Sequence, residues 1–507
     1  MHANNYLAIW AICITKNVSY KYCTLLLYFT KEDKTIKKMK RKSIAFLELA
    51  IVLLSLFLVA IPAIAAAQNV QKVSACTATT ASEDDIVLGV YGNANEDETI
   101  DMRDLTYVKL IFFGERPETK LADAKYDGEI NPLDFVQIKL IIVGKENELT
   151  VVQYLGTPPD ITEEPVTISI PTDRIVTASS YACEAICTFG LEDTIVGVDG
   201  FTKKVGEIAE LIKAKEEIGV YSSSMDVEKV ISLEPDVVVA STYFRTYYPI
   251  YEEQLSYAGI PMLLTDLDEP EKYAEEFGVL GWLMSNQEKS EALIKFEKEL
   301  YGLIGERVSE IPENEKPSTV YGVYCPCPPG TFIPDDDDEK LHAFSFNEAP
   351  PCYIAGSDTS GDNRIVRAGG INAFADIESY QQVDTEAIIG RNPEILIMDV
   401  YPGYAGFVEC GYDVADSSSM HKIRGMFMNS TGWDCTSAVQ NGDAYMICNS
   451  AGGLHSSIYA LYMAKWLHPD RFEDLDPIEM HEDWLDEFLG IPYKGVYAYP
   501  TQWRQGT

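Results

Sequence analysis

The sequence predicts an α/β protein with two α/β lobes joined by one long helix, preceded by a small all-α module. Three observations carry this. From about residue 166 onward, short apolar β-branched segments alternate with amphipathic ones, as buried strands alternate with helices around a parallel sheet. Leu293, Phe296, Leu300, Ile304 and Val308 form one apolar stripe, which predicts a helix over 286–311 ended by Pro312. One helix–strand unit also occurs twice: residues 226–239 align without a gap with residues 384–397.

The N-terminal part is different in kind. Of 507 residues, 79 are Asp or Glu and 40 are Lys or Arg, a formal charge of −39. Phosphate would be repelled, so nucleic-acid binding is excluded as the general role. Yet residues 1–67 are basic. Lys40, Arg41 and Lys42 precede an apolar run over 44–60, and Ala63, Ala65 and Ala67 follow it. This is the pattern of an export signal, with cleavage expected after Ala67 and the true start at Met39. A retained membrane anchor is the alternative, because the run is long enough to span. Val73-Ser74-Ala75-Cys76 resembles a lipobox only faintly and lies far past the run. The mature protein is expected outside the cell or at its surface.

Residues 85–147 contain two loop–helix half-repeats. The first loop offers side-chain oxygen from Asn93, Asn95, Asp97, Asp101 and Asp104, with Thr99 giving a backbone carbonyl. The second offers Asp123, Asp127, Asn131 and Asp134, with Gly128 at the tight turn. This is calcium-loop spacing. Helices follow over 105–113 and 135–143. The pair resembles a dockerin module, which implies calcium and a cohesin-bearing partner. Lys125, at the third position of the second loop, opposes a cation, and Glu98 replaces the family's usual Gly in the first. The first loop is therefore the stronger candidate. Residues 148–165 read as a linker or an opening strand, rich in Pro and acidic residues.

Residues 166–284 are expected to form the first lobe, 285–312 the bridging helix and 313–507 the second lobe with its tail. Strands are expected at 174–177, 194–198, 236–240, 260–264 and 320–324. The order of segments resembles the substrate-binding component of ABC importers for iron–siderophores, haem and vitamin B12. The matching stretches are 174–190, 228–240, 259–261, 278–283, 368–372, 383–398, 433–445 and 464–469. That resemblance implies a class III periplasmic binding protein fold, a ligand between the lobes, an ABC permease dimer as partner and no catalysis. It places Glu228 and Glu386 at the positions that contact the permease; both are also first-turn acids favoured by a helix dipole.

Candidate ligand contacts in the first lobe are Tyr181, Phe201, Tyr221, Tyr243, Phe244 and Arg245. In the second they are Tyr401, Tyr404 and His455. Aromatic rings with an Arg suit a flat anionic chelate: a ferric siderophore, haem or a corrinoid. The 11 Cys in an exported chain predict some disulfides, with two groups, Cys325/Cys327/Cys352 and Cys410/Cys435/Cys448. The acidic run over 335–339 reads as a solvated loop in an insertion. No G-x-S-x-G, H-E-x-x-H, P-loop or dinucleotide glycine motif is present, so an enzyme is not expected. An adhesion or scaffold protein, or a binder of a free metal ion, is the rival reading.

Overall fold

The computed structural model describes residues 86–156, 161–204, 206–220, 224–267, 269–324, 352–401 and 408–501. The signal-like segment, Tyr221, Tyr404, Cys325, Cys327 and the acidic run over 335–339 lie outside them. Among the described residues, no helix is long and apolar enough to cross a membrane.

The module is built twice on one plan. Helices Met102–Phe112 and Pro132–Ile142 each open on a capping box. Asp101 accepts from the Arg103 N–H while Asp104 accepts from the Asp101 N–H, at 2.6 and 2.7 Å. Asn131 and Asp134 repeat this at 2.9 and 2.7 Å. The caps explain why both helices begin three residues before the sequence expectation: the last loop positions supply the helix's orphan N–H partners and so wind into it. Val108, Ile111, Ile138 and Ile141 bury the facing sides.

The stretch over 148–165 is not a free linker. β1 (Glu148–Leu155) and β2 (Thr162–Ser169) form an antiparallel hairpin. Pro165 sits on β2, which pairs only with β1, where a missing N–H is tolerated. Val151 bridges back to Val90 of the module, and Gln153 accepts from the Leu264 N–H of the first lobe at 3.0 Å. The hairpin therefore fastens the module to the lobe.

The first lobe carries β3 (Ile175–Ala178), β4 (Ile195–Val198), β5 (Glu216–Glu217), β6 (Val237–Ala240) and β7 (Met262–Leu264). All pair in parallel, in the order β5-β4-β3-β6-β7. Apart from β5 these strands are almost wholly buried, as their Val/Ile-rich sequences require. In the second lobe β8 (Ser318–Tyr324), β9 (Cys352–Ala355), β10 (Ile371–Asn372), β11 (Tyr380–Gln381) and β12 (Ile395–Val400) precede β13 (Gly411–Tyr412), β14 (Ala444–Cys448), β15 (Gly495–Val496) and β16 (Ala498–Tyr499). The main order is β11-β9-β8-β12-β14-β16, with a parallel centre of β8, β12 and β14; β10 also pairs with β8. β13 and β15 make a separate antiparallel pair.

The sequence repeat is a structural repeat. Helix Val227–Ser232 leads into β6, and helix Thr385–Arg391 leads into β12. Asp226 and Asp384 cap them alike, accepting from the Lys229 and Ala387 N–H groups at 3.0 and 2.7 Å. β6 pairs with the first strand of its lobe, β3, and β12 with the first strand of its own, β8.

Between the lobes runs helix Gln287–Ser309, 23 residues long. Leu293, Leu300, Ile304 and Val308 are its buried face, with Phe296 partly buried beside them. Glu297 lies in the same buried row. Its carboxylate accepts from the Ser457 N–H at 3.0 Å and from the Ser457 hydroxyl at 2.6 Å, capping helix Ser456–Leu467 of the second lobe. Burial pushes this carboxyl up to about 7. The bridge is thus bonded to the second lobe by polar contact as well as by packing.

Candidate functional site

The parallel strands of both lobes end in polar clusters. In the first lobe Asp199, just after β4, is buried and accepts from the Thr202 N–H and hydroxyl at 2.9 and 2.7 Å. After β6, Ser241 and Thr242 donate to Asp266, which also takes the Lys272 ammonium at 2.7 Å. These bonds fix the loops from which helix Tyr243–Tyr247 starts.

That helix presents aromatic rings. Tyr243 lies 4.3 Å from Tyr247 and 5.8 Å from Tyr248 between centroids. Tyr243 and Tyr247 cover part of each other's rings but remain 49% and 62% exposed, so the pair offers aromatic surface to a partner. Phe244, on the opposite side, is 2% exposed and packs in the lobe core. Phe244 is therefore a core residue and not the ligand contact the sequence suggests: consecutive side chains on a helix turn to different faces. Arg245 is also redirected. It donates to Glu252 through Nε at 3.0 Å, and its other nitrogens pair with Glu252 and with Glu164 of the hairpin. Two carboxylates already neutralise it, so it clamps the hairpin rather than offering a free charge. Tyr181 and Phe201 are half-buried at the ends of β3 and β4.

The second lobe places a denser cluster on the middle of β8 and the end of β12. Arg364, on helix Ser360–Arg367, donates to the Tyr321 hydroxyl at 2.6 Å and stacks over the Tyr459 ring at 4.4 Å. Tyr321 donates in turn to Asp399 at 2.8 Å. Tyr459 lies 2.9 Å from the same Tyr321 hydroxyl, and Asn449 stands 3.4 Å from Asp399. Asp399 is fully buried; desolvation raises its carboxyl above the usual range, opposed by Arg364 and by its hydrogen bonds. Tyr401 follows β12 at the edge of this group, 36% exposed. None of Tyr321, Arg364, Asp399 and Tyr459 stood out in the sequence. The one available signal was a lone Asp in the apolar strand Ile395–Val400.

Arg364 and Arg367 line a narrow inter-lobe crevice with Ser360 and Asn363, facing Glu269 and Glu271 of the first lobe. Arg367 and Glu271 form an ion pair across it. Pro270, Tyr301 and Arg367 also line an adjoining cavity of about 420 Å³, walled by Tyr273, Glu297 and Lys298.

His455 is not in an open cleft. It is 0% exposed, wedged at 4.4 and 4.3 Å from the His481 and Trp484 rings. Its Nδ1 lies 3.9 Å from Glu184, which is itself buried on helix Ser180–Thr188. Burial drives its pKa down to about 3, so the ring is neutral. It is corrected from ligand contact to part of the lobe junction, where Tyr497 also donates to Glu207 at 2.6 Å.

Glu228 and Glu386 are both exposed in the first turns of the repeated helices. In the module, Asp97 and Asp101 are paired with Arg103 at 2.7 and 2.9 Å, while the loop N–H groups turn inward onto the carboxylates. The backbone N–H groups of Asn95 and Lys125, equivalent positions, donate to Asp104 and Asp134 at 3.1 and 3.0 Å. Both carboxyls are raised by burial, Asp104 to about 6. Among the described residues, no three His, Cys, Asp or Glu side chains are grouped to hold a metal ion. Cys183, Cys187, Cys410, Cys435 and Cys448 are thiols.

Comparison with known proteins fits this architecture. The chain is 26% identical over 246 residues to the uncharacterized ABC transporter substrate-binding lipoprotein YvrC of Bacillus subtilis, 48% of this chain and 68% of that one. It is 24% identical over 251 residues to a cobalamin-binding protein of Halobacterium salinarum, 48% of this chain and 58% of that one. The TroA-like periplasmic binding protein FepB of Veillonella parvula superposes with a TM-score of 0.54 at 19% identity, over 66% of this chain and 96% of that one. Residues 175–324 match the family model for periplasmic binding proteins, and the two lobes with their bridging helix have the fold of a TroA-like periplasmic binding protein.

Proposed function

We propose that the chain is an exported solute-binding protein that takes up a metal chelate between its lobes and delivers it to an ABC importer permease, without catalysis. The ligand class is a ferric siderophore, haem or a corrinoid. The observation that carries this is the pair of polar, aromatic strand ends: the open Tyr243/Tyr247 platform on one lobe and the Arg364 cluster on the other. Rings supply a stacking face, and the Arg364 guanidinium, which also stands 3.4 Å from Asp399, would supply hydrogen-bond donors for a carboxylate or catecholate. The relative that binds cobalamin supports the ligand class.

Glu228 and Glu386 are the proposed permease contacts, one on each lobe and related by the repeat. A double E228R/E386R variant is expected to bind chelate with unchanged affinity and to lose at least tenfold of permease-dependent uptake into vesicles. Full uptake with the double variant contradicts the docking assignment.

The module's loops are proposed to hold calcium. The donors are oxygen only, which suits a hard cation, and two buried carboxyls lie among like charges. Calcium would have to displace Arg103 from Asp97 and Asp101, so the second loop, where Asp123 and Asp127 accept only backbone N–H groups among the bonds described, is no weaker a candidate than the first. Millimolar calcium is expected to raise the melting temperature by a few degrees and a chelator to reverse it; D104N/D134N should abolish the shift. An unchanged melting temperature contradicts the proposal.

A further inference from the structure

Five thiols are described, and they fall into three settings. Cys435 is exposed. Cys183 and Cys187 are one turn apart on helix Ser180–Thr188. Side chains so spaced have Cβ atoms about 5–6 Å apart, against about 3.5–4.5 Å in a disulfide, so a bond there would unwind the helix. Cys410 and Cys448 differ: they come from segments far apart in the chain, so no helix holds their spacing.

Cys410 immediately precedes β13, and its sulfur lies 3.9 Å from the Val400 carbonyl at the end of β12. Cys448 ends β14, and its register partner on the neighbouring parallel strand is that same Val400. Both cysteines thus converge on Val400 at the end of β12, and both are buried. The Cys448 sulfur also touches the Ser450 hydroxyl at 3.0 Å.

We propose that Cys410 and Cys448 form a disulfide in the oxidised protein, tying the β13–β15 pair to the end of the central sheet. The oxidant is an external disulfide. One thiolate attacks it, giving a mixed disulfide and releasing one thiol; the second thiolate then displaces the other thiol. The S–S bond of the oxidant breaks, that of the protein forms, and the two electrons and two protons pass to the released thiols. Because both sulfurs are buried, exchange occurs before the second lobe closes over them, during folding. Occurrence in the cell rests on the export reading; the chemistry does not.

The test is refolding of the full chain in a glutathione redox buffer, alkylation in denaturant without reductant, and peptide mapping. The same mapping on chain secreted into an oxidising compartment separates failure of the bond from failure of the export reading. The expected result is one cross-linked peptide pair holding Cys410 and Cys448, with Cys183, Cys187 and Cys435 alkylated. Reduction should lower the melting temperature by about 5–10 °C more in the wild type than in C410S/C448S. Recovery of Cys410 and Cys448 as alkylated thiols after oxidative refolding, or bonded to other cysteines, overturns the assignment.

Discussion

Replacing Arg364 by Ala is expected to destabilise the protein by about 3 kcal/mol, the largest single effect at the site. Three losses combine. The guanidinium leaves the Tyr459 ring it stacks on at 4.4 Å, and the Tyr321 hydroxyl loses a donor at 2.6 Å. Asp399, 1% exposed, loses the guanidinium that stands 3.4 Å from it and is left with Tyr321 and Asn449 among the bonds described. Whatever charge that buried carboxyl carries then lacks its counter-charge, and this is the dominant cost. The double variant R364A/D399N removes that charge and should recover about 1–2 kcal/mol, a non-additivity that denaturant unfolding measures directly. Additive losses would show that the two side chains are not coupled. The same variant should weaken chelate binding if the guanidinium also meets the ligand.

Acid is expected to unfold the wild type more readily than a His455→Phe variant. The neutral ring is held down to about 3 by burial, whereas an unfolded His takes its proton near 6.5. The sign follows from linkage. Below pH 6.5 the unfolded chain binds a proton that the folded ring refuses, so stability present above that pH is lost as pH falls toward 3. At pH 4 this amounts to about 3 kcal/mol. His481, also lowered by burial and then by His455, adds in the same direction. The carboxyls of Glu184 and Glu207 act oppositely: burial raises both, so they favour the folded state at low pH and lose that advantage as pH rises above their unfolded value. The comparison with H455F isolates the ring, because the carboxyls remain. Parallel stability–pH curves for the two proteins between pH 6.5 and 4 would contradict a buried neutral His455.

Particular residues show what the sequence can and cannot disclose. The repeated units around Glu228 and Glu386 were legible because a cap, a short helix, a Pro and a strand are all local features. The bridging helix was legible from one stripe. Hairpin β1–β2 was legible only as a choice between linker and opening strand, because its Pro and acidic residues suggest linker while its contacts are to Val90 and Leu264, far along the chain. Tyr243 and Phe244 are neighbours in sequence, and only packing decides which faces out. Arg364, Tyr321 and Asp399 meet because β8 lies beside β12, a pairing that no local pattern encodes. His455 follows two glycines as an open loop would suggest, but Trp484 and His481 from the C-terminal tail close over it.

The proposed function requires that the two lobes hold a metal chelate between the tyrosine platform and the arginine cluster. Intrinsic fluorescence titration of the full chain, with inner-filter correction, tests it against haem, cobalamin, ferric catecholate and ferric hydroxamate. The account predicts saturable one-to-one quenching by one chelate, weakened about tenfold or more by Y243A/Y247A while the fold is unchanged by circular dichroism. Saturable binding that the double variant leaves untouched, or no saturable binding to any of the four, would contradict it.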